Sequence, residues 1–195
     1  INIMEKLKLQ EIIIKQFDFI KVLEKRRTIR EFNPEREVNF SELSTLLWAT
    51  YGITEKTYGL KTAPSAGARY PLIVFFCNKE GLFKYIPEEN SILKIKEGDL
   101  RDKLSTYAYE QDFIKDAPIV FIIAADFKRT TSRYGKRGER YVYIDLGHAA
   151  QNLLLCATYL GLGACPVGAF DDEKIKKLLE IYYDPLYIIP VGYPK

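Results

Sequence analysis

The chain has 195 residues, 47% hydrophobic and 28% charged, a composition that suits one globular domain and excludes a disordered or fibrous chain. Its 29 basic residues nearly balance 26 acidic ones, and a formal charge of +3 gives no whole-protein field for gripping nucleic acid or an anionic membrane. Three cysteines without short spacing and a single histidine argue against a disulfide framework or a structural zinc site, and favour a reducing cytoplasm.

No apolar run approaches the roughly 18 residues of a spanning helix, and the first residues lack the layout of a signal peptide. From Lys6 to Arg26 the apolar residues Leu9, Ile12, Ile13, Phe17, Ile20 and Leu23 recur at helical spacing and predict one or two amphipathic helices. The following stretch runs into Asn33-Pro34, a helix-ending signal. Ser41 reads as the N-cap of a helix over residues 42–51, which Gly52 closes. After a loop of small residues at 63–68, the runs 72–77, 82–86 and 92–95 predict strands of one meander.

A helix near residues 99–109 and a strand over Ile119–Ala125 follow, and then a polar, basic loop at 128–140. Residues 144–160 predict a helix buried on several sides. Leu146, Ala149, Leu153, Ala157 and Leu160 mark one face, and Ala150 and Leu154 widen it. Small residues fill 161–169, Asp171 caps a last helix through Leu179, and 187–191 forms a last strand. This mixed order, with strands able to form hairpins, predicts an α+β fold.

Neither GxGxxG nor GxxxxGK[ST] occurs, and the nucleophile pattern GxSxG is missing too. With His148 the sole histidine, a Ser-His-Asp arrangement has little scope, and Asp171-Asp172 sit where a helix start would use them. Arg26, Arg27, Thr28 and Arg30 gather three guanidinium groups and a hydroxyl within five residues, suited to a phosphate dianion or to a solvated basic helix end. Pro64, Ser65, Ala66 and Gly67 let backbone approach a flat ligand closely, or make a simple turn. The same two readings apply to Pro166 through Gly168 and Ala169. Gln151 and Asn152 interrupt an apolar helix and need polar partners, and His148 reads as a structural polar residue or a base.

Taken in order, several fragments resemble the nitroreductase-like FMN-dependent oxidoreductase superfamily, and within it the SagB-type dehydrogenase branch. They are Arg26-Arg27-Thr28-Ile29-Arg30-Glu31-Phe32, Pro64-Ser65-Ala66-Gly67-Ala68-Arg69-Tyr70-Pro71, Arg133-Tyr134-Gly135, Gly147-His148-Ala149-Ala150-Gln151-Asn152-Leu153, Gly168-Ala169-Phe170-Asp171-Asp172 and Pro190-Val191-Gly192-Tyr193-Pro194. The resemblance implies a central, mostly antiparallel sheet flanked by helices and dimerised through long helices. It also implies an N-terminal helical extension at 1–20 and a single FMN-binding domain at 21–195.

By motif position, Arg26, Arg27 and Arg30 would hold the FMN phosphate and ribityl chain, with Thr28 nearby. Pro64, Ser65, Ala66 and Gly67 would come from the partner of a homodimer, Gly168 and Ala169 would lie against the flavin, and Gln111 would reach it. The implied activity is ping-pong hydride transfer from NADH or NADPH to a small acceptor such as a quinone or nitroaromatic. No catalytic side chain and no metal is implied. Alternatives are an azoline-type peptide-tailoring dehydrogenase and a flavin-binding module without turnover. The first is disfavoured because Arg133 stands where those enzymes use a lysine base, and arginine is a poor base. Asp145 replaces an expected Glu, and Lys195 is a candidate for the charge that a C-terminal tail supplies in longer relatives.

Overall fold

The apolar runs at 72–78 and 119–125 are continuous rather than alternating, as strands covered on both faces must be. The structure, a computed structural model describing residues 6–11 and 19–195, places them at the centre of a seven-stranded sheet. In chain order the strands are β1 (Lys6–Lys8), β2 (Ile53–Glu55), β3 (Leu60–Lys61), β4 (Leu72–Asn78), β5 (Gly81–Ile86), β6 (Ser91–Glu97), β7 (Ile119–Ala125), β8 (Gly163–Ala164) and β9 (Asp184–Gly192). The sheet order is β1-β6-β5-β4-β7-β9-β8 with every neighbouring pair antiparallel, and β2 and β3 form a separate hairpin. The helices are α1 (Phe19–Lys25), α2 (Phe40–Tyr51), α3 (Arg101–Tyr107), α4 (Phe113–Asp116), α5 (Phe127–Tyr134), α6 (Arg137–Leu160) and α7 (Asp172–Leu179).

The pleat divides the central strands between two cores. Leu72, Val74 and Phe76 of β4, with Phe121 and Ile123 of β7, meet Leu43, Leu46 and Leu47 of α2 and Leu146, Leu153 and Ala157 of α6. Ile73, Phe75 and Cys77, with Val120 and Ile122, face Leu104 of α3, Ile114 of α4 and Ile175 and Leu179 of α7. Each such side chain, fully buried, contributes about 1.5–3 kcal/mol. Among the described residues no helix is long and apolar enough to cross a membrane, and the three cysteines are free thiols.

Three expectations need correction. Lys6–Lys8 is a strand, not the start of a helix, because Lys6, Leu7 and Lys8 complete the ladder of β6 opposite Leu93, Ile92 and Ser91. The rest of the expected N-terminal helix is α1 over its last turns, while residues 12–18 and 1–5 lie outside the described residues. The expected loop at 128–140 is instead α5 and the first turn of α6. Asp126 caps α5 by accepting from the Lys128 N–H, and Thr130 turns inward while charged residues face out. That face is too polar for an apolar count to detect. Finally, Ser41 is not the cap of α2. Asn39 accepts from the Glu42 N–H at 2.9 Å while the Glu42 carboxylate accepts from the Asn39 N–H at 2.9 Å, a reciprocal capping box.

Removing that box gives a direct test. Asn39→Ala should cost about 1 kcal/mol in urea unfolding, whereas Ser41→Ala should stay within about 0.5 kcal/mol of the wild type. Equal losses would place the cap back at Ser41.

Candidate active site

The arginine-bearing segment leaves α1 and runs along the sheet edge. Thr28 forms a parallel bridge with Ala164 of β8, and the Ile29 N–H donates to the Ala164 carbonyl at 3.0 Å. This close approach requires Gly163, since a Cβ there would lie 2.6 Å from the Ile29 side chain. Farther on, Phe32 bridges Pro194, the Asn33 N–H donates to the Tyr193 carbonyl at 2.8 Å, and the Lys195 N–H donates to the Glu31 carbonyl at 3.1 Å. Lys195 is thereby brought beside the arginine segment.

Arg27 folds back on α1, its guanidinium donating to the carbonyls of Glu24 at 2.9 Å and Arg26 at 2.7 Å, so it caps a helix end. Arg26 is half-buried, Thr28 and Arg30 are exposed, and among the described residues none of the three arginines is paired with a carboxylate. Arg30 lies 5.8 Å from the centre of the Phe113 ring and bonds the Cys165 thiol, whose pKa burial pushes up and Arg30 draws down.

Two residues before Phe113, the Gln111 amide donates to the Ala108 carbonyl at 2.7 Å and to the Ala169 carbonyl at 3.2 Å. Gly168 and Ala169 form an exposed ledge between buried Val167 and Phe170, and Val167 is anchored by paired bonds to Ile188. A Cβ on Gly168 would meet only the Tyr187 ring, at 3.7 Å, so packing within the chain leaves space there. Arg30 lies beside Phe113 and Cys165, and Gln111, two residues before Phe113, bonds Ala169, which brings Arg30, Gln111, Gly168 and Ala169 to one locality.

Pro64, Ser65, Ala66 and Gly67 are held by a different set of contacts. The Ser65 hydroxyl donates to Asp145 of α6 at 2.6 Å and accepts from the Tyr70 N–H at 2.9 Å. Gly67, Ala68 and Tyr70 all have positive φ, and a Cβ on Gly67 would sit 2.4 Å from the Tyr134 hydroxyl. Arg129 donates to the Tyr70 carbonyl at 3.0 Å and accepts from the Arg69 side chain through its own carbonyl at 2.7 Å. The loop borders a cleft of about 220 Å³ with Tyr141, Ile144, Asp145 and His148. His148 is exposed, and Asn152 donates to the Thr62 carbonyl at 3.2 Å, which gives that helix amide its partner.

Asp145 and Phe113 were not among the sequence candidates. Asp145 had a signal, being the one charged residue within 144–160 of an otherwise apolar helix. Phe113 had none, because its role depends on a guanidinium 83 positions away. Burial pushes the Asp145 carboxyl above its usual range, while the Ser65 hydroxyl, the Ala66 N–H and nearby His148 pull the other way. A folded carboxyl with a raised pKa contributes stability below the unfolded value near 3.9, and that contribution is lost as pH rises through the folded value. Asparagine does not ionise, so Asp145→Asn should gain on the wild type in urea unfolding from about pH 4 to 7. If the variant instead falls behind as pH rises, the bonds from Ser65 and Ala66 outweigh burial.

Comparison with known proteins identifies the family. A Methanocaldococcus jannaschii protein with the provisional name nitroreductase is 44% identical over 194 residues, 96% of this chain and 92% of that one. The FMN reductase (NADPH) of Bacillus subtilis is 26% identical over 121 residues, 53% of this chain and 48% of its own. The crystal structure of a protein from Ralstonia eutropha JMP134, also provisionally a nitroreductase, shares the fold with a TM-score of 0.88, covering 97% of this chain and 90% of its own at 24% identity. The nitroreductase family profile matches residues 23–193. The chain therefore belongs to the nitroreductase family.

Proposed function

We propose that this chain is an FMN-dependent oxidoreductase that passes a hydride from NADH or NADPH to a small organic acceptor, such as a quinone or nitroaromatic, in ping-pong order. The observation that carries the reading is that Arg30 lies over Phe113 while Gln111, two residues earlier, holds the carbonyl of Ala169 in the exposed ledge. Cations that no carboxylate among the described residues neutralises suit a phosphate, and an exposed glycine with space above it suits a flat ring. Arg26 and Arg30, with Thr28 beside them, would hold the phosphate end, and Arg27 would add charge from the end of α1. Gly168 and Ala169 would bear the ring, and Gln111 would steady the ledge. Bound FMN supplies the capacity to accept and return a hydride. The chain's part is to bind, orient and keep water from the reacting edge, with no side chain as nucleophile and no metal.

The FMN-binding unit in this reading is 21–195, with β1 added from the residues before it. The second wall would be Pro64, Ser65, Ala66 and Gly67 of a second copy. Support comes from the exposed stripe of Ile144, Gly147, His148 and Gln151 on α6, beside which α1 exposes Phe19, Ile20 and Leu23. A Cβ on Gly147 would meet nothing within 4 Å. A helical glycine with free space above it costs about 1 kcal/mol relative to alanine, and a close helix crossing in a homodimer accounts for it. Within the family we assign the chain to the SagB-type branch on its motifs from 64 to 71 and 133 to 141. Arg133 keeps its proton, which weighs against azoline oxidation. Three free thiols suit a reducing cytoplasm.

The purified protein should be yellow and should bleach anaerobically with NADH or NADPH. A yellow protein inert to both donors would instead be a flavin-binding module. Arg26→Ala and Arg30→Ala should each raise the FMN dissociation constant at least about tenfold, the worth of one charge-assisted bond, and unchanged retention would remove the phosphate assignment. Gly147→Leu should shift sedimentation from dimer to monomer. A variant that remains dimeric would locate the interface elsewhere.

A further inference from the structure

The loop that carries Pro64, Ser65 and Ala66 ends in a backbone conformation that its residues disfavour. Ala68 has φ of +51° and Tyr70 of +46°, and neither is glycine. Such outliers persist only where surrounding contacts enforce them. At Tyr70 the backbone is held on both sides, since its N–H donates to the Ser65 hydroxyl at 2.9 Å and its carbonyl accepts from Arg129 at 3.0 Å. The ring is held by a different residue, Lys61 of β3.

Lys61 closes the base of the loop. Its N–H donates to the Tyr70 hydroxyl at 3.2 Å, and its ammonium lies 4.7 Å from the centre of the Tyr51 ring and 5.6 Å from that of Tyr70. The two rings meet edge to face at 6.0 Å, and the Tyr51 hydroxyl accepts from the Leu72 N–H at 3.3 Å, where β4 begins. The Lys61 side chain is only 7% exposed, with the Glu88 carboxylate 3.6 Å away. Burial pushes its pKa below the usual lysine range, and Glu88 opposes the shift. Taking an ammonium out of water costs free energy, and an apolar side chain would fill the same space without that cost. What the cation adds is attraction to two aromatic rings at once, strongest where water is excluded.

We infer that Lys61 is a positioning residue for the loop at 64–67: it fixes the Tyr70 ring, keeps Tyr70 in its left-handed turn, and through the Tyr70 N–H sets the place of Ser65. The role rests on the proposed function, in which this loop is the second wall of another copy's FMN site, and deepens it by naming the side chain that shapes the wall from behind. Lys61 acts through Tyr70 and is not itself part of the wall.

The test uses the FMN-loaded protein and two readouts, amide hydrogen exchange and the FMN dissociation constant. Lys61→Met keeps the stem and removes the charge. It should speed exchange of the Tyr70 amide at least about fivefold and raise the FMN dissociation constant about five- to tenfold. Lys61→Arg, which keeps a cation beside the rings, should stay within about twofold on both. Exchange in β7 should be unmoved. Because Lys61 acts through Tyr70, the double variant Lys61→Met with Tyr70→Leu should hold FMN no worse than Tyr70→Leu alone. Ala66→Leu crowds the wall directly and should weaken FMN at least about fivefold. With that loss present, four results each overturn the positioning role: wild-type exchange or FMN affinity in Lys61→Met, an equal loss in Lys61→Arg, exchange that quickens as much in β7, or losses that multiply in the double variant. FMN affinity unchanged in both Ala66→Leu and Lys61→Met overturns the wall and the role together.

Discussion

The candidate site depends on one edge contact. The segment from Thr28 to Phe32 docks along β8 and the end of β9 because Gly163 has no side chain to hold Ile29 away. That docking fixes where Arg30 emerges, and so puts a permanent cation within reach of a loop that is 138 residues later in the chain. Without it, Phe113 and Cys165 would have no guanidinium beside them, and the ledge at Gly168 would be a bare turn. The backbone bond from Ile29 to Ala164 is ordinary in strength, net about 1 kcal/mol. Its importance is geometric.

The loop at 64–67, proposed as the second wall, is organised by opposite means. Around Gly67 the backbone is held in left-handed conformations, and a buried carboxylate on α6 secures the loop through Ser65. One half uses regular pairing at a sheet edge, and the other uses a polar clasp on a long helix. Both are anchored to the same core, since β7, β9 and α6 all pack within it. Within one chain the two segments are therefore placed as stiffly as the sheet, and in the proposed dimer the helix interface would set how one copy's segment meets the other's.

Much of this was legible in the sequence. The strands β4 and β7 are uninterrupted apolar runs, and β5 and β6 are bounded by turn residues, so their physics is local. Asp171 capping α7 is likewise a local signal. The arginine cluster and the small-residue loops stood out by composition, but each had an ordinary explanation of equal standing, and Arg27 in part follows that explanation by capping α1. What could not be read was decided by distant partners. β1 exists because β6 offers a free ladder, and α5 folds on α6 with few apolar residues to advertise it. Phe113 and Asp145 matter only through Arg30 and Ser65.

The described segments at 6–8 and 28–32 do one more thing by their placement. Unpaired strand edges invite other chains to add on, and here both flanks of the large sheet are closed by the same stretch of polypeptide: Lys6–Lys8 along β6 and Thr28 along β8. The outermost strand on the first flank is only three residues long and carries two lysines, a poor template for intermolecular stacking. The beginning of the chain thus guards against aggregation at one rim and furnishes charge at the other.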